Sequence, residues 1–468
     1  MSPEEITGHA PVVATVIGAV LLVWAAIKLV RYLRADEGTR RSIRQAVRIR
    51  ATWHRLAKMA GLSVIDRTPP PLAFLNTTRD GSEPKPRELV PTIRTTPDPF
   101  GVIIGIKLLP RVGIKELQDK ARFLADAWGC ARVAVEPGRP GYAVMRAVRW
   151  DPLTDRTVYK PTGRPPDALS VWPVGTDEYG GAVSVEIKEK SGSTVAGGVG
   201  GGKSNLLTTL ITRFAPSPAV QFALLDGKVD DAPYGDYADA IPRLFAHAGH
   251  DLEEANALFT RLVKLLRERT VSARKVLGTP NMWHVGPSVD WPLVIFVIDE
   301  SHTFFRDHKG SDPKTKKLAA LAAENTRLVE TLVKMGRSVG IFTVLATQKA
   351  TGDAIPTSIR DVCSAALSFG QRTTDASVAA LGEDIRNWPD ADPINLQGSH
   401  YVGVASMAAE GRPGFVRVRT PRMDPHDVAA IANATAHLTQ DPAELLASLT
   451  ALSLRKPEPP QHSEPPAA

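Results

Sequence analysis

Residues Gly197–Ser204 read GGVGGGKS and fit the pattern G-x-x-x-x-G-K-[ST]. The segment before them, STVAG, reads as a strand. The segment after, NLLTTLITRF, carries apolar residues at helical spacing. A glycine-rich loop between strand and helix turns its backbone N–H groups inward and forms a nest for phosphate, to which the helix N-terminus adds partial positive charge. A flexible glycine linker is the plainer reading, and the flanking strand and helix argue against it. The pattern assigns Gly197, Gly198, Val199, Gly200, Gly201, Gly202, Lys203, Ser204 and Asn205 to nucleotide binding. Lys203 is expected to reach the β- and γ-phosphates, and the Ser204 hydroxyl to bind Mg²⁺.

A second motif stands downstream, where Trp291–Glu300 reads WPLVIFVIDE. Its apolar, β-branched run suits a strand buried on both faces, and it ends in two adjacent carboxylates. Asp299 at the strand tip is placed to hold hydrated Mg²⁺, and Glu300 to act as the general base for an attacking water. Taken alone, a buried strand ending in solvated acids explains this stretch equally well. Paired with the phosphate loop in this order, it points to a nucleoside triphosphatase. ATP is the expected nucleotide, because no guanine-reading N-K-x-D element occurs.

Composition bounds the rest. A chain of 468 residues with 43% hydrophobic and 23% charged content is an ordinary folded protein of two or three domains. Its net charge of +7 allows an anionic partner. Cys130 and Cys363 lie far apart, which offers neither a metal-site spacing nor a disulfide framework.

Residues 11–30, PVVATVIGAVLLVWAAIKLV, have the length and apolarity of a single membrane span. Arg31, Arg34, Arg40, Arg41, Arg44, Arg48 and Arg50 follow, so the positive-inside rule puts the remainder in the cytoplasm. A cleaved signal peptide fits less well, since the first ten residues carry Glu4 and Glu5 and no Lys or Arg. The expected order is then an extracytoplasmic segment 1–10, the span 11–30, a basic juxtamembrane helix 31–62 solvated beside anionic lipid, and a linker 63–99. A small α+β module with its connector follows at 100–168, and an α/β P-loop motor with a mainly parallel sheet at 169–419. A helical segment 420–455 and a disordered Pro-rich tail 456–468 complete the chain. Expected motor strands are STVAG, AVQFALLD, LVIFVID, GIFTVLAT, SAALSFG and SHYVGVA; Asp226, Asp299, Glu300 and Gln348 fall at their C-terminal ends.

These motifs together resemble the FtsK/SpoIIIE group of membrane-anchored DNA translocases. The family's V-A-G-x-T-G-S-G-K-S loop is similar to VAGGVGGGKSN here, and its L-I-D-P-K strand end to Leu224–Lys228, LLDGK. Its R-A-x-G-I-H-x-x-x-A-T-Q stretch is similar to Arg337–Gln348, RSVGIFTVLATQ. The resemblance implies a RecA-like motor, a homo-hexameric ring and double-stranded DNA as cargo. It implies Gln348 as the sensor of the γ-phosphate and Arg337 as a charge partner, in cis or in trans. A surface salt bridge explains Arg337 as readily.

The chain departs from the family in two places. Ala366 stands where the family carries an arginine, and the D-S-R triplet is Asp375-Ala376-Ser377, which leaves Arg360 or Arg372 as substitutes. One expected span and one motor resemble most the TraB/TraSA-like conjugative proteins of actinobacterial mobile elements, with other transfer proteins as possible membrane partners. A chromosome-segregating pump, a type VII protein-secretion ATPase, a single-strand coupling protein and a non-enzymatic DNA tether are the alternatives.

Overall fold

The computed structural model describes residues 19, 22–23, 26–67, 86–348, 351, 354–409, 411 and 414–455. The chain divides into two units, Met1–Asp151 and Pro152–Ala468.

In the first unit, helix α1 (Glu37–Met59) is capped by Asp36, whose carboxylate accepts from the Thr39 N–H at 2.9 Å. Glu37 in the first turn and Lys58 in the last complement the helix dipole. Short strands β1 (Val64–Asp66) and β2 (Arg87–Leu89) pair antiparallel. Strands β3 (Ile93–Pro97) and β4 (Gly101–Lys107) come next, then helices α2 (Ile114–Asp119) and α3 (Ala121–Trp128), then β5 (Arg132–Pro137) and β6 (Tyr142–Val148). The sheet is antiparallel in the order β3-β4-β6-β5. Val102, Ile104 and Ile106 of β4 point to one face by the two-residue period and share a core with Leu117, Leu124 and Trp128.

Ala46, Ile49, Trp53, Leu56 and Ala57 of α1 belong to that same core, and the Trp53 indole N–H donates to the Pro91 carbonyl at 2.6 Å. The basic helix expected over 31–62 is therefore a wall of the small domain, with Arg41, Arg44 and Arg48 on its exposed side. Apolar residues at helical spacing between the arginines cause this. Helices α2 and α3 are separated at Lys120, which leaves helical geometry. Most of the expected span 11–30 lies outside the described residues, as does the tail 456–468. No helix among the described residues is long and apolar enough to cross a membrane.

The second unit is an α/β domain around one ten-stranded sheet. Its elements begin with β7 (Val171–Asp177), β8 (Ala182–Glu186), β9 (Gly192–Ala196), α4 (Lys203–Phe214), β10 (Val220–Asp226) and β11 (Leu244–Ala248). They continue with α5 (Leu252–Leu277), β12 (Leu293–Asp299), α6 (His302–Phe305), α7 (Pro313–Met335), β13 (Ile341–Thr347) and α8 (Thr357–Arg360). Strand β14 (Ala365–Phe369), α9 (Thr374–Leu381), β15 (Val404–Ala408), β16 (Phe415–Arg419), α10 (Pro425–Thr435) and α11 (Pro442–Arg455) complete the unit. The order is β11-β10-β12-β13-β9-β14-β15-β16-β7-β8. From β11 to β14 neighbours run parallel; from β14 to β8 they run antiparallel.

Strand β12 lies between β10 and β13, and its LVIFVI side chains are fully buried. Each contributes about 1.5–3 kcal/mol by burial, which makes this strand an anchor for the acids at its end. The fully buried Arg269 of α5 pins the other end of the same strands: its guanidinium donates to the Val339 and Pro292 carbonyls, both at 2.9 Å. Burial pulls its pKa down to about 9. The stretch SHYVGVA differs from expectation: Ser399–Tyr401 is a short helical turn, and the strand starts at Val404.

Candidate active site

The phosphate loop leaves β9 and enters α4 with Gly197, Gly200 and Gly202 at φ values of 150°, 74° and 115°. Two of these positions also have no room for a side chain. A Cβ on Gly197 would stand 2.6 Å from Cβ of Phe369, and one on Gly202 would stand 3.2 Å from Cα of Gly403. The loop is thus pressed between the ends of β14 and the segment before β15. Its backbone is tied there by the Gly198 N–H to the Gly370 carbonyl at 3.1 Å and by the Gly403 N–H to the Gly201 carbonyl at 2.9 Å. The first turn of α4 points its N–H groups, which have no intrahelical acceptor, toward the loop.

Lys203 is buried and donates to the Gly197 and Gly198 carbonyls, at 2.5 and 3.1 Å. Burial lowers its pKa, against the charges of Asp299 and Glu300. The Ser204 hydroxyl donates to Asp236 Oδ2 at 2.8 Å. Asn205 is tied by its side chain to the C-terminal segment. Its amide donates to the Pro421 carbonyl and its oxygen accepts from the Met423 N–H, both at 2.8 Å, so it fastens the C-terminal segment to α4.

Asp299 is fully buried beside this loop. Its Oδ2 accepts from Lys228 Nζ at 2.6 Å and from the Tyr237 hydroxyl at 2.7 Å. Burial works against the Lys228 ammonium, but Asp299, Asp236 and Asp226 outweigh it and hold its pKa above the ordinary lysine value. Burial and the neighbouring Asp299 push the Tyr237 phenol well up. Lys228, Asp236 and Tyr237 had no motif to announce them; the only signal was the similarity of LLDGK to a family strand end.

Glu300 follows at φ 49°, a left-handed conformation rare for a residue with a Cβ. This turn directs its carboxylate away from the strand axis. The backbone N–H of Gln348 faces the carboxylate and favours its charged form, and Oε2 is buried without a hydrogen-bond partner among the described residues. Burial first, then the charge of Asp299, raise its pKa. A carboxylate with one buried, unpartnered oxygen beside the phosphate loop is suited to accept a proton from water. Gln348 sits directly after β13, next to Glu300, as its place at the strand end requires.

Arg337 is not brought to this cluster within its own chain. It is exposed, in the turn before β13, about 20 Å of strand from Gln348. Arg360 donates to the Ala379 carbonyl at 3.0 Å. Arg372 instead lines a cleft of about 180 Å³ with Val199, Gly200, Gln397 and Tyr401, on one side of the phosphate loop. On the other side a groove of about 270 Å³ is bounded by Gly202, Asn205, Val402, Gly403, Arg156 and Arg422.

The donor set fits Mg²⁺. Ser204 Oγ, Asp236 Oδ2 and Asp299 Oδ2 all lie within 3.3 Å of one cation, the Lys228 ammonium, which stands in for a metal. Few carboxylates, a hydroxyl and room for water are the surroundings this ion takes beside phosphates.

Residues 160–282 match the FtsK/SpoIIIE family. A protein of Leptospira interrogans named DNA translocase FtsK is 25% identical over 355 residues, 67% of this chain and 35% of its own length. One of the same name from Sporosarcina ureae is 23% identical over 272 residues, 53% of this chain and 33% of its own. The chain thus spans about a third of the length of these relatives. The solved pCW3 conjugation coupling protein TcpA shares the fold, with a TM-score of 0.52 and 17% identity over 75% of this chain and 94% of that one. With Lys203, Ser204, Asp299 and Glu300 gathered at the ends of parallel strands, residues 160–282 carry an FtsK/SpoIIIE family domain, and the site is that of an ATPase.

Proposed function

We propose that this chain is a membrane-anchored motor that couples ATP hydrolysis to movement of double-stranded DNA, and that the DNA belongs to a mobile element passed between cells. The observation that carries the motor reading is the convergence of Lys203, Ser204, Asp299, Glu300 and Gln348 on one phosphate loop. When bound, Mg²⁺ supplies charge neutralisation for the β- and γ-phosphates. Lys203 leaves its two loop carbonyls for those phosphates, Ser204 and Asp299 hold the metal's shell, and Glu300 takes the proton of the attacking water. Gln348 stands at the end of β13 beside Glu300, which suits a sensor of the γ-phosphate. The groove beside Gly202 is mostly apolar and takes the base.

A ring accounts for Arg337. A head-to-tail assembly sets one face of each subunit on the opposite face of the next. An exposed arginine at the far end of the sheet is then placed to act on a neighbour's nucleotide, and we favour a hexamer by the family resemblance. Arg372, beside the loop, is a second source of charge. Double-stranded DNA as cargo draws on the two relatives named DNA translocase, and conjugative transfer on the motif pattern together with the fold shared with a conjugation coupling protein. The anchor rests on the apolar run 11–30 and the arginines behind it. The test is whether hydrolysis by the purified protein is stimulated by duplex DNA more than by single strands.

A further inference from the structure

Lys228 Nζ lies 2.6 Å from Asp299 Oδ2, 3.2 Å from Ser204 Oγ and 3.3 Å from Asp236 Oδ2. Ser204 and Asp299 are the side chains to which the motif chemistry gives the metal. The ammonium and a hydrated divalent cation therefore claim the same oxygens. We propose that Lys228 is the resident counter-ion of the metal site: it holds Ser204, Asp236 and Asp299 together before Mg²⁺ arrives, and is displaced from Asp299 when it does. This rests on the nucleotide-site reading above.

The backbone around Lys228 shows what can move. The Gly227 N–H donates to the Asp299 carbonyl at 3.0 Å, and the Gly227 carbonyl accepts from the Thr303 hydroxyl at 3.0 Å. The Lys228 N–H lies 3.2 Å from Asp226 Oδ1. The turn after β10 is thus held, while the four-carbon stem of the lysine can swing. Its side chain is 22% exposed, so a path to solvent is open. Two cations cannot share the buried Asp299 carboxylate at bonding distance, because their repulsion is weakly screened there. Tyr237 keeps its own hydrogen bond to Asp299 Oδ2 and so preserves the carboxylate's orientation while the ammonium departs. Lys228 is in these terms a positioning residue, and its ammonium is released where an incoming triphosphate brings negative charge.

The test needs no turnover. Mn²⁺ binding to the full chain without nucleotide is followed by electron paramagnetic resonance, in wild type, Lys228→Met and Lys228→Arg. Lys228→Met is expected to bind Mn²⁺ at least about tenfold more tightly, the equivalent of one lost competing ion pair. It is also expected to gain more in Tm from added Mg²⁺ than wild type does, because metal then replaces a missing charge. Lys228→Arg keeps the charge and is expected to stay near wild type. Unchanged or weaker Mn²⁺ binding by Lys228→Met overturns the proposal. Should that variant not fold, amine-reactive labelling of wild type decides: labelling of Lys228 is expected to rise when Mg²⁺ is added, and constant labelling overturns the proposal. Asp299→Asn separates the two readings. If it abolishes Mn²⁺ binding while Lys228→Met does not tighten it, only the counter-ion role fails; if Mn²⁺ still binds to Asp299→Asn, the metal site itself fails.

Discussion

Glu300→Gln isolates the proposed base from the rest of the site. Glutamine has the same shape as glutamate, keeps an oxygen facing the Gln348 N–H, and inherits the same backbone conformation at φ 49°. Phosphate loop and metal ligands are untouched, so ATP is expected to bind within about threefold of wild type, a difference below 1 kcal/mol. Stability has a definite sign. Burial and the charge of Asp299 both hold the Glu300 carboxyl above its ordinary range, which means that the fold disfavours the ionised form. A neutral amide removes that disfavoured charge, and Tm is expected to be equal or higher. Turnover moves the other way: a positioned base contributes about 10²–10⁴ in rate, or about 2.7–5.5 kcal/mol. The assays are kcat from a coupled ATPase reaction, Kd from titration with a fluorescent ATP analogue, and Tm from a thermal scan. A kcat within about threefold of wild type refutes Glu300 as the base, since it leaves under 1 kcal/mol for the role. A fall in Tm together with kcat refutes the electrostatic reasoning, because the carboxylate is then a structural group.

Gly197→Ala forces a Cβ to 2.6 Å from Phe369 at a φ of 150°, and is expected to weaken ATP binding by about 5- to 150-fold, the equivalent of 1–3 kcal/mol of strain; wild-type affinity by calorimetry contradicts this packing. The stretch KGSDPKTKK runs from Lys309 into the first turn of α7, where Asp312 caps the helix by accepting from the Thr315 N–H. Changing exposed Lys309, Lys314, Lys316 and Lys317 to Ala is expected to lower stimulation by DNA with DNA-free hydrolysis unchanged. Lys317, paired with Glu253 at 2.5 Å, should contribute least. A reporter at the C-terminus is expected in the cytoplasm and one at the N-terminus outside, and Gln in place of the arginines from Arg31 to Arg50 should weaken that orientation; a mature chain lacking the first thirty residues refutes the anchor.

The motor's central strands were legible because β10, β12 and β13 are buried on both faces and read as mainly apolar runs between glycine and polar breaks, while β9, GSTVA, was placed by the glycine loop that follows it. The antiparallel half was not. Strands β7, β8 and β16 mix Pro, Gly, Arg and Glu with apolar residues, and their pairing depends on partners distant in sequence. Lys203, Ser204, Asp299 and Glu300 were found because each chemistry demands a residue type at fixed spacing from a glycine or a strand end. Tyr237 reaches Asp299, and Asp236 reaches Ser204 and Lys228, from a turn some sixty residues before Asp299, which no spacing rule encodes. The tie that the Asn205 side chain makes to the C-terminal segment was not legible, because a polar residue after the loop suits phosphate as well. Helix α1 was read as a solvated juxtamembrane helix because its arginines outweigh its buried face in composition, and only the periodicity separates the two sides.

The account's central claim is that hydrolysis at this site is geared to duplex DNA gripped by its backbone. The direct measurement is ATPase rate against concentration for duplexes of unrelated sequence, for single strands and for no nucleic acid, across a salt series. The account predicts stimulation by duplex with little dependence on sequence, and an apparent affinity that falls steeply and linearly in log salt as bound phosphates release counter-ions. No binding or stimulation by duplex at low salt, with stimulation by a protein substrate instead, contradicts it.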